Sequence, residues 1–296
     1  MKIRIAISGM IILMIIQNVS AQKSLSENKS FDSFGQAPPG DSARIFAPGI
    51  ISKPATRESA LALSPNGDEI FFVRGVWPNT KIMHTTMSDN EWSTPDTATF
   101  SKDDWTTEPS FSPDGHYLYF SSSRGKSDIK DYNLWRIEKT ETGWSRPESL
   151  FDLGGDSIWE FHPSVTRDGF LYFCCWNVKK SLGDIYVSRC LAGKCSEPKR
   201  IDAPLNTANN DADPYISADG TYMIFSSDRP GGYGKLDQYI SFKNINGTWT
   251  VPKNLGTEFN NREDNYDMDI SPDGKYILLY FNDDIFWMRA GNYRPE

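Results

Sequence analysis

The sequence predicts an all-β domain built from five copies of one unit. A four-residue turn motif recurs five times, and each copy stands between a short alternating segment and an aromatic-rich one. The copies are SPNG at 64–67, SPDG at 112–115, TRDG at 166–169, SADG at 217–220 and SPDG at 271–274. The spacings of 48, 54, 51 and 54 residues indicate a repeat protein, because each unit spans a supersecondary structure that needs neighbours to bury its apolar faces.

Each turn motif predicts a hairpin between the first two strands of a repeat. Asp or Asn beside Gly accepts the backbone angles of tight turns, which β-branched residues resist. The second strand is aromatic-rich, as in EIFFV at 69–73 and YLYFS at 117–121. A third strand follows it, as in NLWRIE at 133–138 and DIYVSR at 184–189.

The stretch SSDRPGGYG at 226–234 joins the second strand to the third in the fourth repeat. Its glycines and arginine could belong to a phosphate-binding loop, but such a loop needs a following helix whose N-terminus faces the phosphate. The residues after it alternate and turn instead of showing a helical apolar period. We therefore interpret this stretch as a turn.

A proline followed three residues later by an apolar or small side chain marks a fourth strand. The prolines are Pro95, Pro147, Pro198 and Pro252. Proline lacks an N–H group and is tolerated on an outer edge, so these strands are expected to be the outermost of each sheet. The fifth repeat has no such strand after it, whereas IFAPGII at 45–51 carries the pattern before the first repeat.

This count predicts a β-propeller of about five four-stranded blades over residues 43–296, closed by an N-terminal strand that completes the last blade. Closing a ring in this way removes exposed sheet edges. Residues 22–42 are expected to form a polar leader before the first strand of the ring.

The repeat resembles the PD40, or WD40-like, unit of TolB and related bacterial envelope proteins. The resemblance rests on the pattern FSPDG…LYFSS.R and on DPYISADGTYMIFSSDRPGGYGKLDQYIS at 213–241, and it covers about residues 35–296. It implies the propeller fold, but its motifs are turn and packing residues that say little about function. TolB-type proteins have six blades after an α/β domain, and neither feature is expected here.

Residues 1–21 predict a signal peptide, with Lys2 and Arg4 before an apolar run and small residues at its end. The expected protein is therefore exported, periplasmic or extracellular, and meets the membrane only during export. Without the signal, 29 basic residues face 39 acidic ones, a net charge of −10 that argues against nucleic acid as a partner.

The four cysteines divide into two pairs. Cys190 and Cys195 flank a four-residue turn and predict a disulfide in an exported protein. Cys174 and Cys175 are adjacent in an apolar run and are expected to be buried free thiols. The three histidines show no zinc spacing, and no cofactor motif is present.

Two positions in each first strand are candidates for a site in the central channel. The sixth residue before each motif is Glu58, Thr106, Glu160, Asp211 or Asn265. The fourth residue before it is Ala60, Glu108, His162, Asp213 or Asp267. Both offsets have the same parity, which predicts that both sets project to one side of the strand.

Aromatic and basic residues near the strand starts would complete a polar and aromatic mouth, of a kind that binds sugars or cationic groups. The predicted ligand-binding residues are Glu58, Glu108, Glu160, His162, Asp211, Asp213, Asp267, Arg124, Arg229, Trp105 and Trp159. The alternative is that these carboxylates pair with arginines and loop amides and hold the blades in register. Calcium is a candidate counter-ion if neither arginines nor a ligand offset the carboxylates.

The sequence thus leaves two functions open. One is a monomeric, non-catalytic binding module whose mouth takes a glycan, a peptide or an envelope protein. The other is a carbohydrate-active enzyme, a glycosidase or lyase, because such chemistry can use two carboxylates held close together. No pair of carboxylates is singled out by the sequence, so binding is the preferred interpretation.

Overall fold

A computed structural model describes residues 34–291 except 126–130, 152, 154–156 and 192. The predicted signal peptide and the first part of the leader lie outside the described residues. Within them, 23 strands form five antiparallel sheets, four of them with their strands in sequential order from the axis outwards and the fifth with the N-terminal strand as its outermost member. The predicted five-bladed β-propeller is confirmed.

The blades are numbered in chain order. Blade 1 contains β2 (Glu58–Leu63), β3 (Glu69–Val76), β4 (Asn79–Ser88), β5 (Glu91–Trp92) and β6 (Asp96–Thr97). Blade 2 contains β7 (Thr106–Phe111), β8 (Tyr117–Ser122), β9 (Asn133–Thr140), β10 (Gly143–Trp144) and β11 (Glu148–Ser149). Blade 3 contains β12 (Ile158–Val165), β13 (Phe170–Asn177), β14 (Leu182–Leu191), β15 (Lys194–Cys195) and β16 (Lys199–Arg200). Blade 4 contains β17 (Asp211–Ile216), β18 (Tyr222–Ser227), β19 (Asp237–Phe242) and β20 (Lys253–Asn254). Blade 5 contains β21 (Tyr266–Ile270), β22 (Tyr276–Phe281), β23 (Asp284–Arg289) and the N-terminal β1 (Arg44–Ile45).

Each turn motif connects the first and second strands of its blade, as predicted. In blade 1 the amide of Gly67 donates to the carbonyl of Ser64, and the Ser64 hydroxyl accepts from the amide of Glu69. Gly67 has a φ of 75°, in the region that favours glycine. All five motifs lie at one end of the ring, which we call the turn face; the opposite end, where the first strands begin, is the mouth.

The outer strands are interrupted at their prolines. In blades 1, 2 and 3 the fourth strand is split into two two-residue pieces that flank Pro95, Pro147 and Pro198. This is the expected effect of a residue that cannot donate to the ladder. In blade 5 the outer strand comes from the N-terminus: Arg44 and Ile45 pair with Trp287 and Phe286.

The segment before β1 is built into this closure, although the sequence suggested a polar leader up to residue 42. The Phe34 ring stacks on Trp92 of blade 1 with a centroid distance of 4.8 Å. The Gln36 side chain donates to the carbonyl of Ile45 and accepts from the amide of Ala47. The carbonyl of Gly40 accepts a hydrogen bond from the amide of Arg289. Residues 34–42 therefore strap blade 5 to blade 1.

The core consists of apolar clusters between adjacent blades. One cluster joins blades 5 and 1 around Phe46, Phe72 and Trp287, and equivalent clusters join the other pairs. Trp92, Trp144 and Trp249 on the outer strands pack against these clusters. Every blade therefore depends on its neighbours for burial, so closing the ring matters for stability.

The cysteines occupy two different settings. Cys190 and Cys195 face each other across β14 and β15 and are joined by a disulfide. Cys174 and Cys175 are buried free thiols on β13. The described residues contain no helix with the length and apolar character needed to cross a bilayer.

Candidate functional site in the central channel

A backbone irregularity recurs at the same place in every first strand. Pairing with the second strand shifts register there, so that two residues oppose one. The fourth residue before each motif has a positive φ, between 42° and 55°. These residues are Ala60, Glu108, His162, Asp213 and Asp267. Such bulges re-aim side chains, and here all five residues line one narrow space on the axis.

The centre of this space is occupied by the imidazole of His162. Its Nε2 lies 3.0 Å from Glu108 Oε1, 3.1 Å from Asp213 Oδ1 and 3.0 Å from Asp267 Oδ1. The amide of His162 also donates to Glu108 Oε2 at 2.8 Å. We call His162, Glu108, Asp213 and Asp267 the waist, because four of the five blades meet there.

Burial and mutual charge set the protonation of the waist. Burial lowers the pKa of His162, but Glu108, Asp267 and Asp213 outweigh it and hold the pKa well above its ordinary value. Burial raises the pKa of Asp267 to about 8, against the opposing charge of His162. Burial also raises the pKa of Asp213. At neutral pH the waist therefore contains an imidazolium and a protonated Asp267.

The residues at the sixth position before each motif are placed differently. Glu58 and Asp211 are fully buried, and each accepts a hydrogen bond from an arginine at the end of the second strand: Arg74 Nε at 2.7 Å and Arg229 Nη2 at 2.6 Å. Arg74 also donates to the carbonyl of Ile51, in the loop that precedes β2. These pairs stabilise the loops that enter blades 1 and 4.

The other members of that set connect a blade to the preceding one. Glu160 Oε2 accepts from the amide of Leu134 at 2.9 Å, and Thr106 Oγ1 accepts from the amide of Ile82 at 3.0 Å. Asn265 donates to the carbonyl of Leu236. The sequence predicted that the sixth and the fourth residues before each motif project to the same side of the strand. The structure separates them, because the sixth residue lies before the bulge and the fourth lies within it.

Two further candidates lie beside the mouth without lining its pocket. Arg124 donates to Asp104 Oδ2 at 2.6 Å and to the carbonyl of Phe100. The Trp105 ring lies under the ammonium of Lys81, 4.4 Å from the ring centroid. Both residues stabilise the loop between blades 1 and 2.

The mouth opens into an aromatic pocket of about 300 Å³ above the waist. Its walls include Trp77, Trp159, Phe161 and Trp176, and its floor includes Glu108, His162 and Asp213. The Trp77 side chain is 46 % exposed, and its ring lies 5.9 Å from that of Trp159. Trp77 lies in the turn between β3 and β4, whereas Trp159 lies in β12 and Trp176 in β13, so blades 1 and 3 together build one aromatic surface.

A second cavity, of about 290 Å³, opens at the turn face. It is lined by the second residue before each motif: Ala62, Ser110, Ser164, Tyr215 and Asp269. The waist separates it from the mouth pocket and leaves a space of only about 30 Å³, enough for one or two water molecules. Sequence reasoning missed this cavity, although the signal was one more step along the same strand face.

Among residues 34–291 as described, no group of three or more His, Cys, Asp or Glu side chains is arranged to hold a metal ion. His162 itself occupies the position between the three carboxylates.

Comparison with known proteins places the fold. The chain is similar to the endo-arabinase of Bacteroides thetaiotaomicron, with 17% identity and a TM-score of 0.51 over 87% of this chain and 97% of the other. It is similar to the α-L-arabinofuranosidase of Lactobacillus brevis, with 9% identity and a TM-score of 0.50 over 79% and 90%.

A third similar structure is TolB of Acinetobacter baumannii, with 16% identity and a TM-score of 0.48. The match covers 79% of this chain but only 54% of TolB, so the chain spans about half of that protein. No family model and no curated protein matches the chain. At these identities the likeness concerns the fold alone.

Proposed function

We propose that the protein is a non-catalytic binding module that takes its ligand in the aromatic pocket at the mouth. The observation that carries the proposal is the convergence of Trp77, Trp159, Phe161 and Trp176 on a floor of Glu108, His162 and Asp213. Aromatic walls with a few polar groups at depth are the usual composition of small-molecule sites. Exposing Trp77 to solvent costs free energy that a bound ligand would recover.

The chemistry of the pocket suits a saccharide or the side chain of a peptide. Indole faces pack against the C–H surfaces of sugar rings and attract cationic groups, and the floor offers carboxylate acceptors. The preferred ligand is a glycan, followed by a peptide or envelope protein. Membership of the PD40 repeat family and export to the periplasm or exterior remain part of this proposal, and they fit a protein that meets cell-surface polymers.

The proposal is tested by a glycan array, with hits measured by titration calorimetry. Arabinose-containing glycans belong in the set because of the structural likeness. Trp159→Ala should weaken binding by about fivefold or more, since aromatic contacts of this kind are each worth on the order of 1 kcal/mol or more. Trp105→Ala is the matched control, because Trp105 stacks on Lys81 outside the pocket. Equal effects of the two substitutions would contradict the proposal.

A carbohydrate-active enzyme is the second candidate, and one observation favours it. Asp267, with a pKa of about 8, lies beside Glu108 and Asp213, which resembles a general acid next to a base. The waist, however, holds only about 30 Å³, which is too small for a sugar ring, and all three carboxylates contact His162.

A screen of chromogenic glycosides decides between the two. Binding without hydrolysis is the expected result. If the wild type hydrolyses a glycoside and Glu108→Gln or Asp213→Asn abolishes this activity, the protein is an enzyme and the proposal of a non-catalytic binding module is wrong. Titration with calcium in the same series tests whether a cation joins the carboxylates of the waist.

A further inference from the structure

We infer that the cavity at the turn face is a second binding site, for a small molecule with an ammonium and a carboxylate at opposite ends of an alkyl chain. It is independent of the mouth, because the waist separates the two pockets. Three features of the cavity carry the inference: its apolar walls, the carboxylate of Asp269 at its inner end, and the guanidinium of Arg167 on its rim.

The walls are contributed by all five blades. The residue immediately before each turn motif lines the cavity: Leu63, Phe111, Val165, Ile216 and Ile270. A volume of about 290 Å³ lies at the small end of the range for ligand pockets, so it suits one short chain and not a polymer. Methylene groups are the natural complement of such walls, because burying each one in apolar surroundings is favourable.

Asp269 marks the inner end of the cavity, because it also lines the space at the waist. Among the described residues its side chain forms no hydrogen bond and no salt bridge, and the charge that acts on it is that of His162. Burial raises the pKa of Asp269 to about 6, and the charge of His162 opposes the rise, so the group is ionised at neutral pH. A partly buried carboxylate without a partner is costly unless a cation approaches it.

The charges around Asp269 favour a ligand cation over a protein one. Tyr215 and Asp269 line the same cavity, and the phenol is neutral because burial raises the pKa of Tyr215 well above its ordinary value. Across the waist lie His162 and its three carboxylates, which already offset one another. Arg167 lines the cavity at its exposed rim and forms no ion pair with Asp269.

The positive charge of Arg167 at the rim favours a negative charge at the outer end of the ligand. A diamine would bring its second ammonium towards this guanidinium, whereas a carboxylate there would be attracted to it. The cavity is therefore complementary to an ω-amino carboxylate.

The experiment compares four six-carbon probes by titration calorimetry at pH 7.5: 6-aminohexanoate, hexylamine, 1,6-diaminohexane and hexanoate. The expected order of affinity is 6-aminohexanoate, then hexylamine, then the diamine, with no binding of hexanoate. Asp269→Asn should weaken the binding of 6-aminohexanoate at least about tenfold. Arg167→Gln should remove its advantage over hexylamine. Asp89→Asn, an exposed aspartate in the β4–β5 turn on the same face, is the matched control and should change nothing.

A second measurement on the unmodified protein keeps the inference testable if Asp269→Asn does not fold. Affinity for 6-aminohexanoate should fall as the pH drops below about 6, because protonation removes the charge of Asp269. Binding of hexanoate as tight as that of hexylamine, or an affinity that is constant from pH 7.5 to pH 5, would overturn the site.

Discussion

The imidazole Nε2 of His162 lies 3.0 Å from the carboxylate of Glu108, although the two residues belong to different blades. The amide of His162 donates to the other oxygen of the same carboxylate. Both residues sit on bulges with positive φ, so the ion pair depends on a backbone feature that recurs in every blade. Because His162 also contacts Asp213 and Asp267, one imidazole ring connects carboxyl groups from three other blades.

This arrangement predicts that the protein loses stability as the pH rises from 6 to 9. The folded-state pKa of His162 is raised, so its contribution is complete below the unfolded value of about 6.5 and is lost as the pH rises through the folded value. Folding also raises the pKa of Asp267, to about 8, so the folded state binds this proton more tightly than the unfolded chain does. Loss of the proton at higher pH therefore also lowers the stability.

Asp267→Asn tests this expectation, because the amide cannot ionise. We expect its melting temperature at pH 9 to exceed that of the wild type by about 2–4 °C, the shift produced by roughly 1 kcal/mol in a domain of this size. The gain should shrink towards pH 6. Asp202→Asn on the exposed surface serves as the control. A wild-type melting temperature that is flat from pH 6 to 9 would contradict the assigned charge state.

Asp211 and Asp213 are two residues apart, but the same substitution should destabilise the protein far more at Asp211 than at Asp213. Asp211→Asn breaks the pair between the buried Asp211 carboxylate and the mostly buried Arg229 and should cost about 3 kcal/mol in the free energy of unfolding. Asp213→Asn removes one of the negative charges at the waist and should cost less than about 1 kcal/mol. Urea denaturation of both variants measures the difference. Similar losses in the two variants would show that the waist is as structural as the loop pair.

Glu69 predicts how the ring responds to acid. Its carboxylate lies 2.7 Å from His84 Nε2, 2.7 Å from Lys139 Nζ and 2.8 Å from Trp144 Nε1, so it joins blades 1 and 2. Burial alone would raise its pKa, but these three hydrogen bonds lower the pKa to about 2. Its contribution to stability is therefore present above the unfolded value of about 4.5 and is lost as the pH falls through about 2.

Glu69→Gln should destabilise the protein by about 3 kcal/mol at pH 7, from 1.36 kcal/mol per unit of pKa shift. The difference between variant and wild type should narrow between pH 5 and pH 2. Glu91→Gln, in an exposed position of the same blade, should show neither effect. Thermal melts followed by circular dichroism over this pH range provide the measurement, and a difference that is unchanged at pH 2.5 would refute the assignment.

The closing strap predicts where the chain can be shortened. A protein that begins at residue 34 keeps the stacking of Phe34 on Trp92 and the hydrogen bonds of Gln36 and Gly40, and it should melt like the full mature chain. A protein that begins at residue 43 loses all three contacts and should melt several degrees lower. Removing β1 as well, by starting at residue 53, should open the ring and cost the most. Equal melting of the chains starting at 34 and 43 would show that the strap adds nothing.

The sequence by itself determined the blade count, the hairpin turns and the closing strand. These features follow from local rules: Gly and Asp or Asn mark the turns, alternation marks the strands, and proline marks the outer edge. The same counting also placed Glu108, His162, Asp213 and Asp267 on the channel, because a repeat puts equivalent positions at equivalent places around the axis.

The tertiary structure decided which candidates share a site. Glu58 and Asp211 have the same parity as the waist residues, yet each lies before a bulge and pairs with an arginine in a buried network. A bulge depends on how two strands pair, which the parity of one strand does not reveal. The assembly of Trp77, Trp159 and Trp176 into one wall depends on how blades 1 and 3 are placed around the axis, because Trp77 lies in a turn of one blade and the other two lie on strands of the other. Asp269 lay on the predicted strand face all along, but only the closed ring shows that it faces a cavity without a partner, since partners come from residues distant in sequence.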